Sequence, residues 1–98
     1  MPFANQSRYS FSENGIGTYA PRNSGVYGIY NSSEWIYVGE AGDMEASLYE
    51  HLRSKSNQSA CILRRKPTHY VFDNCDEKTR LTREKVLIRE LDPCCNRA

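Results

Sequence analysis

Leu81, Glu84, Ile88 and Leu91 recur at the 3-4-3 spacing of one helix face, which sets the Glu84 carboxylate in the middle of an apolar stripe. A carboxylate in such a place costs several kcal/mol unless a cation or a metal ion meets it. Glu84 is therefore a candidate metal ligand, with pairing to Arg80 one turn earlier as the plain structural alternative. Ser47 and His51 lie one helical turn apart, flanking a second stripe of Met44, Leu48 and Leu52. The chain carries seven Tyr against three Phe, so it holds a surplus of hydroxyls that need a partner or solvent. Tyr27 and Tyr37 fall in short runs of β-type residues, where tyrosine is also an ordinary cross-strand residue. Between His51 and Phe72 there is no Asp or Glu, while Arg53, Lys55, Arg64, Arg65 and Lys66 contribute +5. A phosphate backbone would be drawn to that stretch, which is equally readable as a solvated basic face.

The elements that must position these residues follow from periodicity and turn chemistry. Gly25 to Tyr30 and Trp35 to Gly39 are rich in Val, Ile, Tyr and Trp and are joined by Asn31-Ser32-Ser33-Glu34, the pattern of a β-hairpin. Alternation predicts Tyr27 and Ile29 on one face of the first strand, and Trp35, Tyr37 and Gly39 sharing a face of the second. Asp43 is placed to cap a helix that runs to about Ser54. A short helix is predicted over Gln58 to Arg65, a third strand over Thr68 to Phe72, a turn from Asp73 to Glu77, and a long helix from Lys78 to Leu91, stopped by Pro93. Leu81, Ile88 and Leu91, with Leu87 beside them, are expected to form its buried face. Hairpin, helix, strand, helix predicts an α+β domain: a three-stranded antiparallel sheet flanked by helices. Residues 1–19 are polar and read as an arm that packs loosely or adds one short edge segment, with residues 20–98 forming the domain.

A chain of 98 residues is one domain by length. A net charge of +1 removes any global basic signature for nucleic acid, leaving only the local stretch. No run is long and apolar enough to span a membrane, and Met1 to Ser10 lacks the features of a secretory leader. Cys61, Cys75, Cys94 and Cys95 fit no zinc spacing. They are expected to be free thiols in a reducing cytoplasm.

Gly25-Val26-Tyr27, nine residues, and Tyr37-Val38-Gly39 resemble the paired motifs of the GIY-YIG nucleases. The alternative first motif, Gly28-Ile29-Tyr30, leaves too few residues for the hairpin. Glu40-Ala41-Gly42-Asp43 leading into a helix, and Arg83-Glu84, Leu87-Ile88, Pro93 and Asn96 near the end, extend the resemblance over nearly the whole of 20–97. The resemblance implies metal-dependent hydrolysis of a phosphodiester. Tyr27 would position or activate the attacking water, and Tyr37 would hold a water or the scissile phosphate. Glu84 would bind a single Mg²⁺ or Mn²⁺. His51 would relay a proton or contact phosphate, and Asn96 would brace the site.

One position departs from that pattern. The family's arginine belongs one turn before His51, where this chain has Ser47. A serine hydroxyl on the substrate cannot supply the bidentate clamp of a guanidinium, a loss on the order of three to five powers of ten in rate. Arg53 cannot replace it from the same helix, because six residues place it about 240° around the axis. Arg64, Arg65 and Arg80 are the other candidates. The expectation is a nuclease domain acting on DNA rather than RNA, with weak or altered catalysis. Its rivals are a catalytically inactive nucleic-acid-binding module and a protein-interaction domain.

Overall fold

The hairpin is the centre of the molecule. In the computed structural model, which describes residues 3–97, strands β2 (Gly25–Tyr30) and β3 (Trp35–Ala41) pair antiparallel from Gly25↔Ala41 to Ile29↔Tyr37. The turn is held by Asn31, whose Oδ1 accepts from the backbone N–H groups of Ser33 and Glu34 at 2.8 and 3.0 Å. The register then shifts so that Tyr30 pairs with Trp35 and Ile36 is the extra residue. This bulge breaks strict alternation. It corrects one expectation: Trp35 does not share the face of Tyr37 but packs on the opposite side with Phe3 and Tyr30.

Strand β4 (His69–Asn74) lies on the other side of β2, and a two-residue strand β1 (Tyr9–Ser10) adds to β4. The sheet therefore has four strands in the order β1-β4-β2-β3, not three. The added strand is the short edge segment that was one of the two alternatives for residues 1–19; the other, loose packing, does not hold. Phe3, Phe11 and Ile16 are all buried. Helix α1 (Glu13–Tyr19) starts at Ser12, whose Oγ accepts from the Gly15 N–H at 3.0 Å. Gly15 has no space for a Cβ, which would collide with the Ser10 carbonyl.

The sheet has one core on each face. Helices α1, α2 (Met44–Leu52) and α3 (Ser59–Arg64) cover the side of Tyr27, Ile29, Ile36, Met44, Leu48, Ile62, Tyr70 and Phe72. Helix α4 (Glu77–Leu91) covers Val26, Val38 and Val71 with Leu87. The expected face is corrected at one residue, while Ile88 and Leu91 pack against the core. Leu81 is 49% exposed, and Leu87 is the residue at the centre of the contact. The inward line runs Arg80, Glu84, Leu87, Leu91, because the first half of α4 passes the polar end of β3 at Glu40 rather than the apolar core.

After α4 the chain turns through Cys94–Asn96 and runs back along β3. The Asn96 side chain accepts from the Val38 N–H at 2.8 Å and donates to the Val38 carbonyl at 2.9 Å, as a neighbouring strand would. This return brings Cys95 to Cys61 on α3, and the two form a disulfide across 34 residues of sequence. The expectation of four free thiols is corrected: only Cys75 and Cys94 are free. The reducing compartment inferred from free thiols loses its support at Cys61 and Cys95.

Candidate active site

Strand β2 presents Tyr27 beneath the start of α2, opposite Gly39 in the register. Gly39 has to be glycine here, since a Cβ would sit 2.6 Å from the Tyr27 hydroxyl and 2.9 Å from the Tyr37 ring. Asp43 caps α2 through the Ala46 N–H at 3.0 Å. The turn that follows aims Ser47 and His51 at Tyr27. The phenol oxygen lies 2.7 Å from Ser47 Oγ and 2.7 Å from His51 Nε2. Tyr37 completes the group, with its ring centroid 5.1 Å from that of His51 and 6.4 Å from that of Tyr27.

The other imidazole nitrogen is also engaged. His51 Nδ1 is 2.7 Å from Ser56 Oγ, Ser56 Oγ is 2.8 Å from Ser59 Oγ, and the Ser59 hydroxyl donates to the Glu50 carbonyl at 3.2 Å. Neither serine carried a signal of its own in the sequence: Ser56 lies in a polar loop, and Ser59 opens the short helix expected over Gln58 to Arg65. Among the described residues no buried side-chain polar atom lacks a partner.

Burial sets the protonation of this network. Tyr27 is 1% exposed, and removal from water pushes its phenol far up, against a smaller lowering by the Ser47 hydrogen bond. Tyr27 is therefore a neutral phenol. The same cause takes His51 down to about 4, so its imidazole is neutral at physiological pH. Tyr37, half-buried, is raised by burial first and then by the charges of Glu84 and Glu40.

Glu84 lies on α4, which packs on the opposite face of the sheet, and its charge helps to raise both tyrosine phenols. It is half-buried beside Glu40. Burial, then the Glu40 charge, raises its carboxyl above the usual range, while a hydrogen bond from the Glu40 backbone pulls the other way. Arg80 is not its partner. The Arg80 guanidinium is held by Glu40 and by Ser24 Oγ at 2.9 Å. The pairing that would have explained Glu84 away is thus made by another carboxylate. Among the described residues no cluster of three or more His, Cys, Asp or Glu could hold a metal ion, so Glu84 would bind one as a lone protein carboxylate with water completing the shell.

The remaining sequence candidates lie outside the group. Arg65 is tied to the hairpin tip, 3.6 Å from Glu34, with its carbonyl accepting from Asn31 at 2.8 Å. That tip is about 13 Å along the strand from Tyr27. Arg64 is exposed at the end of α3. Asn96 braces the outer side of β3 and does not face the tyrosines. Arg53 faces away, on Glu13 at 2.6 Å and over the Tyr49 ring. The hollow of 450 Å³ on the outer face of α2, lined by Arg22, Glu45, Tyr49 and Arg53, shares no residue with the site.

This arrangement of strands and helices has close structural counterparts. Three crystal structures of the GIY-YIG N-terminal endonuclease domain of UvrC from Thermotoga maritima superpose on the chain. A tyrosine point mutant bound to its catalytic divalent cation matches with a TM-score of 0.72 at 23% identity, covering 89% of this chain and 99% of that one. The magnesium-bound domain gives 0.72 and 23% over 88% and 99%, and an asparagine point mutant gives 0.71 and 23% over 86% and 96%. The chain has the GIY-YIG fold. No protein-family model and no curated protein matches it. Its two motif tyrosines stand on adjacent strands of that fold, on the side covered by α2. Tyr30, from the alternative motif, packs with the opposite core. No helix among the described residues is long and apolar enough to cross a membrane.

Proposed function

We propose that this GIY-YIG domain hydrolyses phosphodiester bonds in DNA with one Mg²⁺ or Mn²⁺ held at Glu84. The observation that carries the reading is the environment of Glu84: a half-buried carboxylate whose charge is felt at both tyrosine phenols, with the nearby Arg80 already committed to Glu40. Its charge, raised in energy by burial and by Glu40, is a fit for a divalent ion. Such an ion would supply neutralisation of charge developing on the phosphate and leaving oxygen. The magnesium carried by the UvrC domain supports the same assignment.

The protein groups divide the remaining work. Tyr27 is too deeply enclosed to meet substrate broadly, so its hydroxyl acts at one point, beside the half-exposed Ser47. Tyr37 presents its phenol edge to the same space, where it can hold a water or a phosphate oxygen. His51 accepts or returns a proton only through Tyr27, since both its nitrogens are engaged. Ser47 supplies no cationic clamp, so the rate falls below that of a domain with arginine there. Arg80 is the cation best placed to compensate, once substrate or metal competes for Glu40.

Titrating Mg²⁺ and Mn²⁺ with nicked, branched and single-stranded DNA, with RNA alongside, tests this reading. Metal-dependent cleavage that disappears in Glu84→Ala supports it. Cleavage that survives the substitution overturns the metal assignment. The engagement of Arg80 by Glu40 favours a second reading, a binding module without catalysis. It predicts salt-sensitive DNA binding and no cleavage under any of these conditions.

A further inference from the structure

The serines beneath His51 form a chain whose direction can be derived from one fixed end. A backbone carbonyl can only accept, so the Ser59 hydroxyl spends its single proton on the Glu50 carbonyl. The Ser59 oxygen then accepts from the Ser56 N–H at 3.1 Å and from the Ser56 hydroxyl at 2.8 Å. Ser56 has no further proton to give, so at 2.7 Å it must accept from His51 Nδ1. A neutral imidazole with its proton on Nδ1 carries a lone pair on Nε2, which accepts from the Tyr27 hydroxyl at 2.7 Å. Tyr27 in turn accepts from the Ser47 hydroxyl at 2.7 Å. Every donor in the line points inward, from the surface to the end of α2.

We infer that Ser56 and Ser59 are positioning residues that set the tautomer of His51 and, through it, the direction of the Tyr27 O–H bond. With that proton turned inward, the outward face of the pair Tyr27–Ser47 consists of oxygen lone pairs. Such a face accepts a hydrogen bond from an attacking water and disfavours a phosphate oxygen in the same place. In the reverse polarity, Nε2–H would donate to Tyr27 and the phenol proton would point outward, which repels a water's hydrogens and attracts phosphate. Ser59 thereby decides, two hydrogen bonds from His51 Nδ1, which of two ligands the site prefers. The tautomer follows from hydrogen-bond geometry alone; its catalytic consequence rests on the nuclease reading.

Nitrogen-15 NMR of histidine-labelled full chain reads the tautomer without substrate, with His69→Gln separating the two histidines. The expected spectrum has His51 Nδ1 in the protonated, pyrrole-like range and Nε2 in the pyridine-like range. The opposite pattern in the unmodified chain overturns the inference. Ser59→Ala frees the Ser56 proton to turn toward Nδ1 and is expected to move the proton of His51 to Nε2, although Ser59 does not touch the ring. Ser59→Thr keeps the hydroxyl and should keep the original pattern. A Ser59→Ala chain that is folded and shows no change refutes the role of Ser59. Should that variant fail to fold, Ser56→Ala, in which Nδ1 loses its acceptor, is read instead, and an unchanged pure tautomer there is equally fatal. Where the chain cleaves DNA, Ser59→Ala should lower kcat about ten- to hundredfold, the usual cost of an orienting partner, with KM for DNA no higher, Mg²⁺ affinity unchanged and Ser59→Thr restoring the rate. An unchanged kcat in a chain with the altered tautomer overturns the catalytic half of the inference. If no protein cleaves, the nuclease reading fails while the NMR result still decides the tautomer.

Discussion

The polar groups on the two sides of β3 are finished to different degrees. Under α2 and α3, Ser47, Tyr27, His51, Ser56 and Ser59 satisfy one another in a line that ends on a backbone carbonyl. Where α4 passes Glu40, the Glu84 carboxylate is half-buried with a raised pKa, and the neighbouring carboxylate has taken the arginine. A complete network is rigid and holds geometry; an incomplete one is where free energy remains to be gained by binding. Under the nuclease reading the closed side would orient and the open side would recruit charge.

The comparison breaks most directly at Glu84. Glu84→Ala should reduce metal-dependent cleavage by at least about a thousandfold, and should remove any rise in Tm on adding Mg²⁺. Because the folded-state pKa of Glu84 is raised, its ionisation disfavours the native state, so the stability linked to it is present at low pH and lost as pH rises through the folded value. Bound metal should reverse that loss. Thermal melts across pH with and without Mg²⁺ check both statements, and a Glu84→Ala protein that still gains from Mg²⁺ places the metal elsewhere.

On the closed side the effect is on stability and has the opposite sign. The folded-state pKa of His51 is depressed, from 6.5 to about 4. Its contribution is therefore complete above pH 6.5 and is lost as pH falls toward 4, by about 3 kcal/mol in all. Denaturant midpoints between those limits should fall steeply in the natural chain and more gently in His51→Gln. Equal slopes would mean that His51 is not held neutral by burial.

Ser47 joins the two sides. Ser47→Arg forfeits a hydrogen bond to Tyr27 of about 1 kcal/mol and gains a guanidinium at the phosphate. Cleavage should rise by on the order of tenfold or more, measured as single-turnover rate, unless Arg80 already serves, in which case the rate stays flat. The smallest effect belongs to the basic stretch. Replacing Arg64, Arg65 and Lys66 by Ala should reduce the salt slope of DNA binding by about two, less than three full charges because Arg65 is shared with Glu34. An unchanged slope marks the stretch as a solvated face.

What could be read from sequence was what short-range chemistry determines. Gly25–Tyr30, the Asp43 cap and the helix over Ser59–Arg64 follow from β-type runs, a capping carboxylate and spacing. Glu84 stood out because its neighbours in helical register were apolar, although one of them, Leu81, proves to be exposed. Helix α1 was missed because two glycines weaken its propensity, and its packing against β1, α2 and Tyr70 sustains it. The bulge at Ile36, the Cys61–Cys95 pair and the serine line under His51 depend on contacts between segments distant in sequence or on a loop without periodicity. Of the site, the tyrosines, His51 and Glu84 were visible as a set; Ser56, Ser59 and the capture of Arg80 by Glu40 were not.

The bond pair between Asn96 and Val38 has a consequence for association. A sheet can grow only where a strand offers unpaired N–H and carbonyl groups to another chain. On β3, Asn96 occupies both groups of Val38 with a single amide, and the disulfide at Cys95 keeps that amide from lifting away. On the far side the terminal strand β1 has only two residues, too short a template for recruitment. Both margins of the sheet are thereby closed to strand addition, and a domain with so small a core keeps itself from being built into a larger sheet by one side chain at one end and brevity at the other.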